Sequence, residues 1–90
     1  MMYVLKPEDA NKVLKLENSA GMIIPEGFPV GSVFIVFNST DLFLTIESKV
    51  PKTYISARLK PRTHISFPPH GMVNVIMIDE ETAVISGDAS

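Results

Sequence analysis

The chain has 90 residues, of which 46% are apolar and 20% charged, with no cysteine and a formal net charge of −2. That length makes one small β domain over residues 1–90, burying only about 60% of its unfolded surface, and the missing cysteines exclude disulfide staples, thiol chemistry and thiolate metal sites. A mean hydropathy of +0.22 and a pI near 5.5 exclude a disordered chain and disfavour nucleic acid as a partner, since that needs accumulated Lys and Arg.

In chain order, Tyr3 to Lys6 is a short apolar opening, and Pro7-Glu8-Asp9-Ala10-Asn11 is suited to a single helical turn with proline and acids at its start. Lys12 to Glu17 alternates imperfectly, as a half-exposed strand does, and Asn18-Ser19-Ala20-Gly21 is turn chemistry. Met22-Ile23-Ile24 is a short strand ended by Pro25, and Pro25 to Gly31 is a loop dense in turn formers. Ser32 to Phe37 is apolar on both faces, which predicts a central strand covered by its own core on one side and by something else on the other. Asn38-Ser39-Thr40-Asp41 turns the chain, and Leu42 to Ile46 is expected to return it as a hairpin.

From Lys49 to Ile78 there is no acidic residue, while Lys49, Lys52, Arg58, Lys60 and Arg62 are basic. Tyr54 to Leu59 and Thr63 to Phe67 alternate as two strands separated by Pro61. Pro68-Pro69-His70-Gly71 is a rigid turn before a strong strand, Met72 to Ile78, whose second face carries Met72, Asn74, Ile76 and Ile78. Asp79-Glu80-Glu81-Thr82 is an acidic hairpin tip leading into Ala83 to Ser86. The sum is an all-β fold, a small antiparallel β-sandwich or barrel of about eight or nine short strands.

Chemical motifs are scarce. The nucleotide, nucleophile-elbow and metalloprotease signatures are absent. His64 and His70 with Asp79 or Glu80 follow no short metal-ligand spacing, so no metal and no cofactor is expected. Ser66, His64 and Asp88 form a trio without a visible activating turn, and adjacent Glu80 and Glu81 on a tip point apart, so no enzyme activity is expected. The basic stretch with Tyr54 admits an oligonucleotide-binding barrel face, a solvated sheet face, or one half of an interface registered against Asp79, Glu80, Glu81 and Asp88. Met22, Phe28, Phe43, Tyr54 and Met72 are the candidate interface residues, because the apolar side chains exceed what so small an interior can hold. Glu26, Pro69 and His70 are the candidate loop contacts. No apolar run approaches the roughly 20 residues of a membrane span, and Met1 to Lys6 lacks a basic region followed by a long apolar stretch, so no secretory signal is expected.

Several stretches fall in a familiar order: Asp9-Ala10-Asn11-Lys12-Val13-Leu14, Asn18-Ser19, Ile24-Pro25, Phe28-Pro29-Val30-Gly31-Ser32, and Ala83-Val84-Ile85-Ser86-Gly87-Asp88. Together they resemble a small β-module of tailed-bacteriophage virion proteins, found in tail fibres and tailspikes. Asn11 stands where that pattern has glycine, and the tryptophan that often precedes its closing Ser-Gly is absent. The resemblance implies a homotrimer, phage capsid or tail proteins as partners, location in the virion after synthesis in the host cytoplasm, and no catalytic residues. A chain of 90 residues opening at Met1 is expected to be a free-standing accessory protein, such as a capsid decoration (cement) protein. The alternatives are a tail module binding a receptor or glycan and, third, a single-stranded nucleic-acid binder.

Overall fold

Period-two alternation becomes nine short strands in a computed structural model that describes residues 1–90. They are β1 (Met2–Val4), β2 (Val13–Leu16), β3 (Gly21–Ile24), β4 (Val33–Asn38), β5 (Leu44–Ser48), β6 (Lys52–Ile55), β7 (His64–Phe67), β8 (Met72–Asp79) and β9 (Thr82–Gly87). A 3-10 turn, Pro7–Asp9, follows β1. Four strands form one sheet in the order β1-β3-β5-β7, and five form the other in the order β2-β4-β8-β9-β6. The two layers make a sandwich, and no barrel closes. Its smallest extent is 20 Å, in keeping with two sheets about 10 Å apart, each with side chains outside.

The expected antiparallel arrangement is corrected. Both sheets are mixed: β1 with β3, β3 with β5, β2 with β4 and β6 with β9 are parallel, and β4–β8, β5–β7 and β8–β9 are antiparallel. The cause is the winding of the chain, since β1 to β8 alternate strictly between the two sheets. A chain that crosses to the other layer after each strand can re-enter a sheet in its original direction, with the intervening strand as the crossover.

For the same reason the hairpin expected between Ser32–Phe37 and Leu42–Ile46 does not exist, since β4 and β5 lie in different layers. Asn38 explains the crossing. It is fully buried at the end of β4, and its amide nitrogen donates to the carbonyls of Leu42, Phe67 and Pro68 at 2.9, 3.2 and 2.9 Å. Its amide oxygen accepts from the backbone N–H and hydroxyl of Thr40. One side chain thereby fixes the turn after β4 and ties it to the end of β7 in the opposite sheet.

The alternation expected through Leu59 stops at Ile55, and Ala57 takes a positive φ of 64°. The only hairpin between consecutive strands is β8–β9, with its acidic tip as expected.

The core lies between the layers. Phe34 and Val36 of β4, Val73, Val75 and Met77 of β8, and Ala83 and Ile85 of β9 face Met22 and Ile24 of β3, Leu44 and Ile46 of β5, and Ile65 and Phe67 of β7, all buried. Gly21 is required by close approach, because a Cβ there would stand 2.0 Å from the Thr45 carbonyl oxygen.

Candidate assembly surface

Strand geometry sends alternate residues outward, and the two outward faces differ in chemistry. On the four-stranded sheet the rows are Met2–Gly21–Thr45–Ser66 and Val4–Ile23–Glu47–His64, so its β5 and β7 half is polar. Across the five-stranded sheet one row is Val33–Ile76–Val84–Tyr54 and the next Val13–Ile35–Asn74–Ser86, and Phe37 stands opposite Met72. Ile78, at a register shift in β8, prolongs the apolar surface toward the hairpin tip.

None of these apolar side chains is buried, and Val13, Ile78 and Met72 are 60, 52 and 43% exposed. The one polar pair within the band is satisfied internally, Asn74 donating to Ser86 Oγ at 3.4 Å. The band ends at Lys15, ion-paired with Glu17 at 2.9 Å, and at Lys52 on the opposite edge strand. An apolar field rimmed by charge has the composition of a contact surface.

The candidate interface residues are divided by this geometry. Tyr54 and Met72 lie on the apolar outer face. Met22 is corrected to a core residue with no exposed surface. Phe28 is likewise buried, its ring 4.7 Å from Phe34. Phe43 is 71% exposed, but on the other sheet, beside an open cavity of about 300 Å³ with Arg62, His64 and Ser66.

The remaining apolar members of its central strands, Val33, Ile35, Phe37, Ile76 and Val84, are absent from that candidate set. For Val33, Ile35, Phe37 and Ile76 the signal was present in the sequence as the two-faced apolarity of Ser32–Phe37 and the second face of Met72–Ile78, whereas Val84 stood in the stretch after the acidic tip without such a mark. The loop contacts do not converge. Glu26 is exposed at the β4 entry, whereas Pro69 and His70 lie before β8, at the opposite end of the antiparallel β4–β8 pair.

Several of the charged groups are engaged in pairs or in turns. His70 contacts Asp41 at 2.9 Å, and His64 lies 4.0 Å from Glu47, so the two histidines serve different sites. No three His, Asp or Glu side chains stand close enough to hold a metal ion. Asp88 accepts the Met72 N–H at 3.0 Å, which engages the carboxylate of the Ser66–His64–Asp88 trio in a backbone contact.

Of the basic stretch, Lys49 pairs with Glu47 at 2.7 Å, and that contact, first as a hydrogen bond and then as a charge, holds the Glu47 carboxyl below its ordinary range. Lys52 lies beside the acidic tip, where the Glu81 N–H, the Thr82 hydroxyl and then the Lys52 charge hold Asp79 low. Arg58, Lys60 and Arg62 remain in the exposed loop after β6, with Leu59 between them at 91% exposure.

The motif stretches have local physical roles. Asn11 has a φ of 62°, which asparagine tolerates where glycine would serve. Asp9 is buried and accepts the Tyr3 hydroxyl at 2.8 Å and the Lys6 N–H at 2.9 Å. Gly87 has a φ of 99°, and a Cβ there would stand 2.5 Å from the Met72 carbonyl oxygen. The closing Ser86-Gly87-Asp88 is therefore the device that anchors the end of β9 to the start of β8.

No protein-family model matches the chain, and neither the curated proteins nor the solved structures contain a match to it.

Proposed function

We propose that this chain is a structural, non-enzymatic component of a tailed-phage particle, a trimeric capsid decoration protein that docks on the outer shell. The observation that carries the reading is the apolar outer face of the five-stranded sheet, a continuous surface from Val13 to Tyr54 that the fold leaves uncovered. The ordered resemblance from Asp9 to Asp88 supplies the phage context.

Docking would remove that face from water at about 25 cal/mol per Å². Association entropy offsets part of the gain, and three copies on one base would multiply what remains. Such a protein fastens neighbouring capsomers by being buried between them, and it needs no reacting group.

The copy number in purified particles of the phage that encodes the chain tests the reading. Hundreds of copies per particle are expected. Tens or fewer would replace this reading with the second one, a tail-fibre or tailspike module, which the family pattern itself favours because it recurs in those appendages.

A further inference from the structure

We infer that the outer face of the four-stranded sheet binds a neutral sugar ring, in the open cavity that Phe43 shares with β7. The site lies on the sheet opposite the apolar docking face and does not depend on the docking reading.

Strand parity assembles the site. Phe43, just ahead of β5, shares its outward side with Thr45, and Thr45 stands opposite Ser66 of β7. The alternate residues Leu44, Ile46, Ile65 and Phe67 are buried in the core, so the backbone beneath the cavity is held by the sandwich itself. Arg62 lies ahead of β7, its guanidinium donating to the His64 carbonyl at 3.1 Å. Ser90 exchanges backbone hydrogen bonds with Ser66 at 2.8 and 3.1 Å and walls the cavity along β7. The space enclosed is about 300 Å³, at the small end of the range for ligand sites.

The lining combines one aromatic ring with several polar groups. Phe43 is 71% exposed, an aromatic surface that the fold leaves in water. Beside it are the Thr45 and Ser66 hydroxyls, each able to donate and to accept. Arg62 has further N–H donors beyond the one given to His64. His64 shares Nδ1 with Thr63 at 3.2 Å, while its Nε2 stands 4.0 Å from Glu47, too far for a hydrogen bond.

A pyranose matches that set. One of its faces is a patch of C–H bonds, whose positive hydrogens suit the negative face of an aromatic ring. Its rim is a row of hydroxyls that both donate and accept. An apolar ligand would instead strip water from Thr45, Ser66 and Arg62 and return no hydrogen bond. An inorganic anion would leave Phe43 unused and would meet the Glu47 carboxylate beside His64. Docking through the five-stranded sheet would turn this cavity toward the medium, where many copies would add up weak single contacts.

Amide-resolved NMR titration of the isolated, isotope-labelled protein tests the site. The separate probes are D-glucose, D-galactose, D-mannose and N-acetyl-D-glucosamine, with sodium phosphate as the anion arm. At least one sugar is expected to move the Phe43, Thr45 and Ser66 signals together and to saturate at millimolar concentration. Phe43→Ala is expected to weaken that binding about tenfold, and Thr45→Val with Ser66→Ala to weaken it as well. Leu42→Ala, at a position 67% exposed but outside the cavity, is expected to leave it unchanged. The amide spectrum of each variant reports whether it is folded. Signals that no sugar moves, sugar binding that a folded Phe43→Ala variant retains in full, or saturation by phosphate alone overturns the inference. Because no phage head enters the titration, neither result bears on docking.

Discussion

Asp9, Asn38, Ser48 and Thr53 are the few buried polar side chains, and Asp9, which accepts from the half-buried Tyr3, and Asn38 show how fully they are used. No buried side-chain nitrogen or oxygen lacks a hydrogen-bond partner. Burial, then the hydrogen bond to Asp9 and the charges of Asp9 and Glu8, push the Tyr3 phenol from about 10 up to about 12. A raised phenol favours the neutral form in the folded state. Its contribution to stability is therefore complete below pH 10 and is lost as pH rises toward 12. In a Tyr54→Phe background, ultraviolet titration should find the Tyr3 phenolate forming near pH 12, and Asp9→Asn should bring that transition down. Asn38 carries more, because its loss strands carbonyls from two layers. Asn38→Ala is expected to cost about 3 kcal/mol in urea denaturation, with the m-value unchanged. Neither role was legible in the sequence: Asn38 read as turn chemistry, and nothing local announced that its amide would reach Phe67, 29 residues away.

At the scale of the strands, alternation identified where the chain is extended and which side chains share a face. The split of Met72–Ile78 into Val73, Val75 and Met77 inside and Met72, Asn74 and Ile76 outside is present in the fold. The order of pairing was not legible, because alternation is the same for parallel and antiparallel neighbours. A turn such as Asn38–Asp41 also reads alike whether it reverses the chain within a sheet or carries it to the other layer. The outer face was visible as an excess of apolar side chains, but its membership was misassigned where burial depended on the opposite sheet. Met22 and Phe28 went inside, and Phe43, just ahead of β5, stayed out. This division predicts unequal costs on one pair of adjacent strands. Phe34→Ala should destabilise the isolated protein by about 3–5 kcal/mol, whereas Ile76→Thr, on the outward side of β8, should change it by no more than about 1 kcal/mol. Comparable losses from both would mean that the outer face is packed within the subunit.

For the whole molecule the decisive feature is asymmetry, one sheet presenting a polar half-face and the other an apolar one. A domain of this size gains little from its own interior, and the proposed assembly through the outer face would add burial that a lone copy lacks. The direct measurement is co-sedimentation of the purified protein with phage heads stripped of it, comparing the wild type with Met72→Lys and Ile76→Lys variants whose far-ultraviolet spectra and thermal transitions match. The expected result is that the wild type pellets with heads and saturates at hundreds of copies per head, while each lysine variant stays in the supernatant. A wild type that fails to pellet, or lysine variants that pellet as well as it does, would contradict docking through the five-stranded sheet.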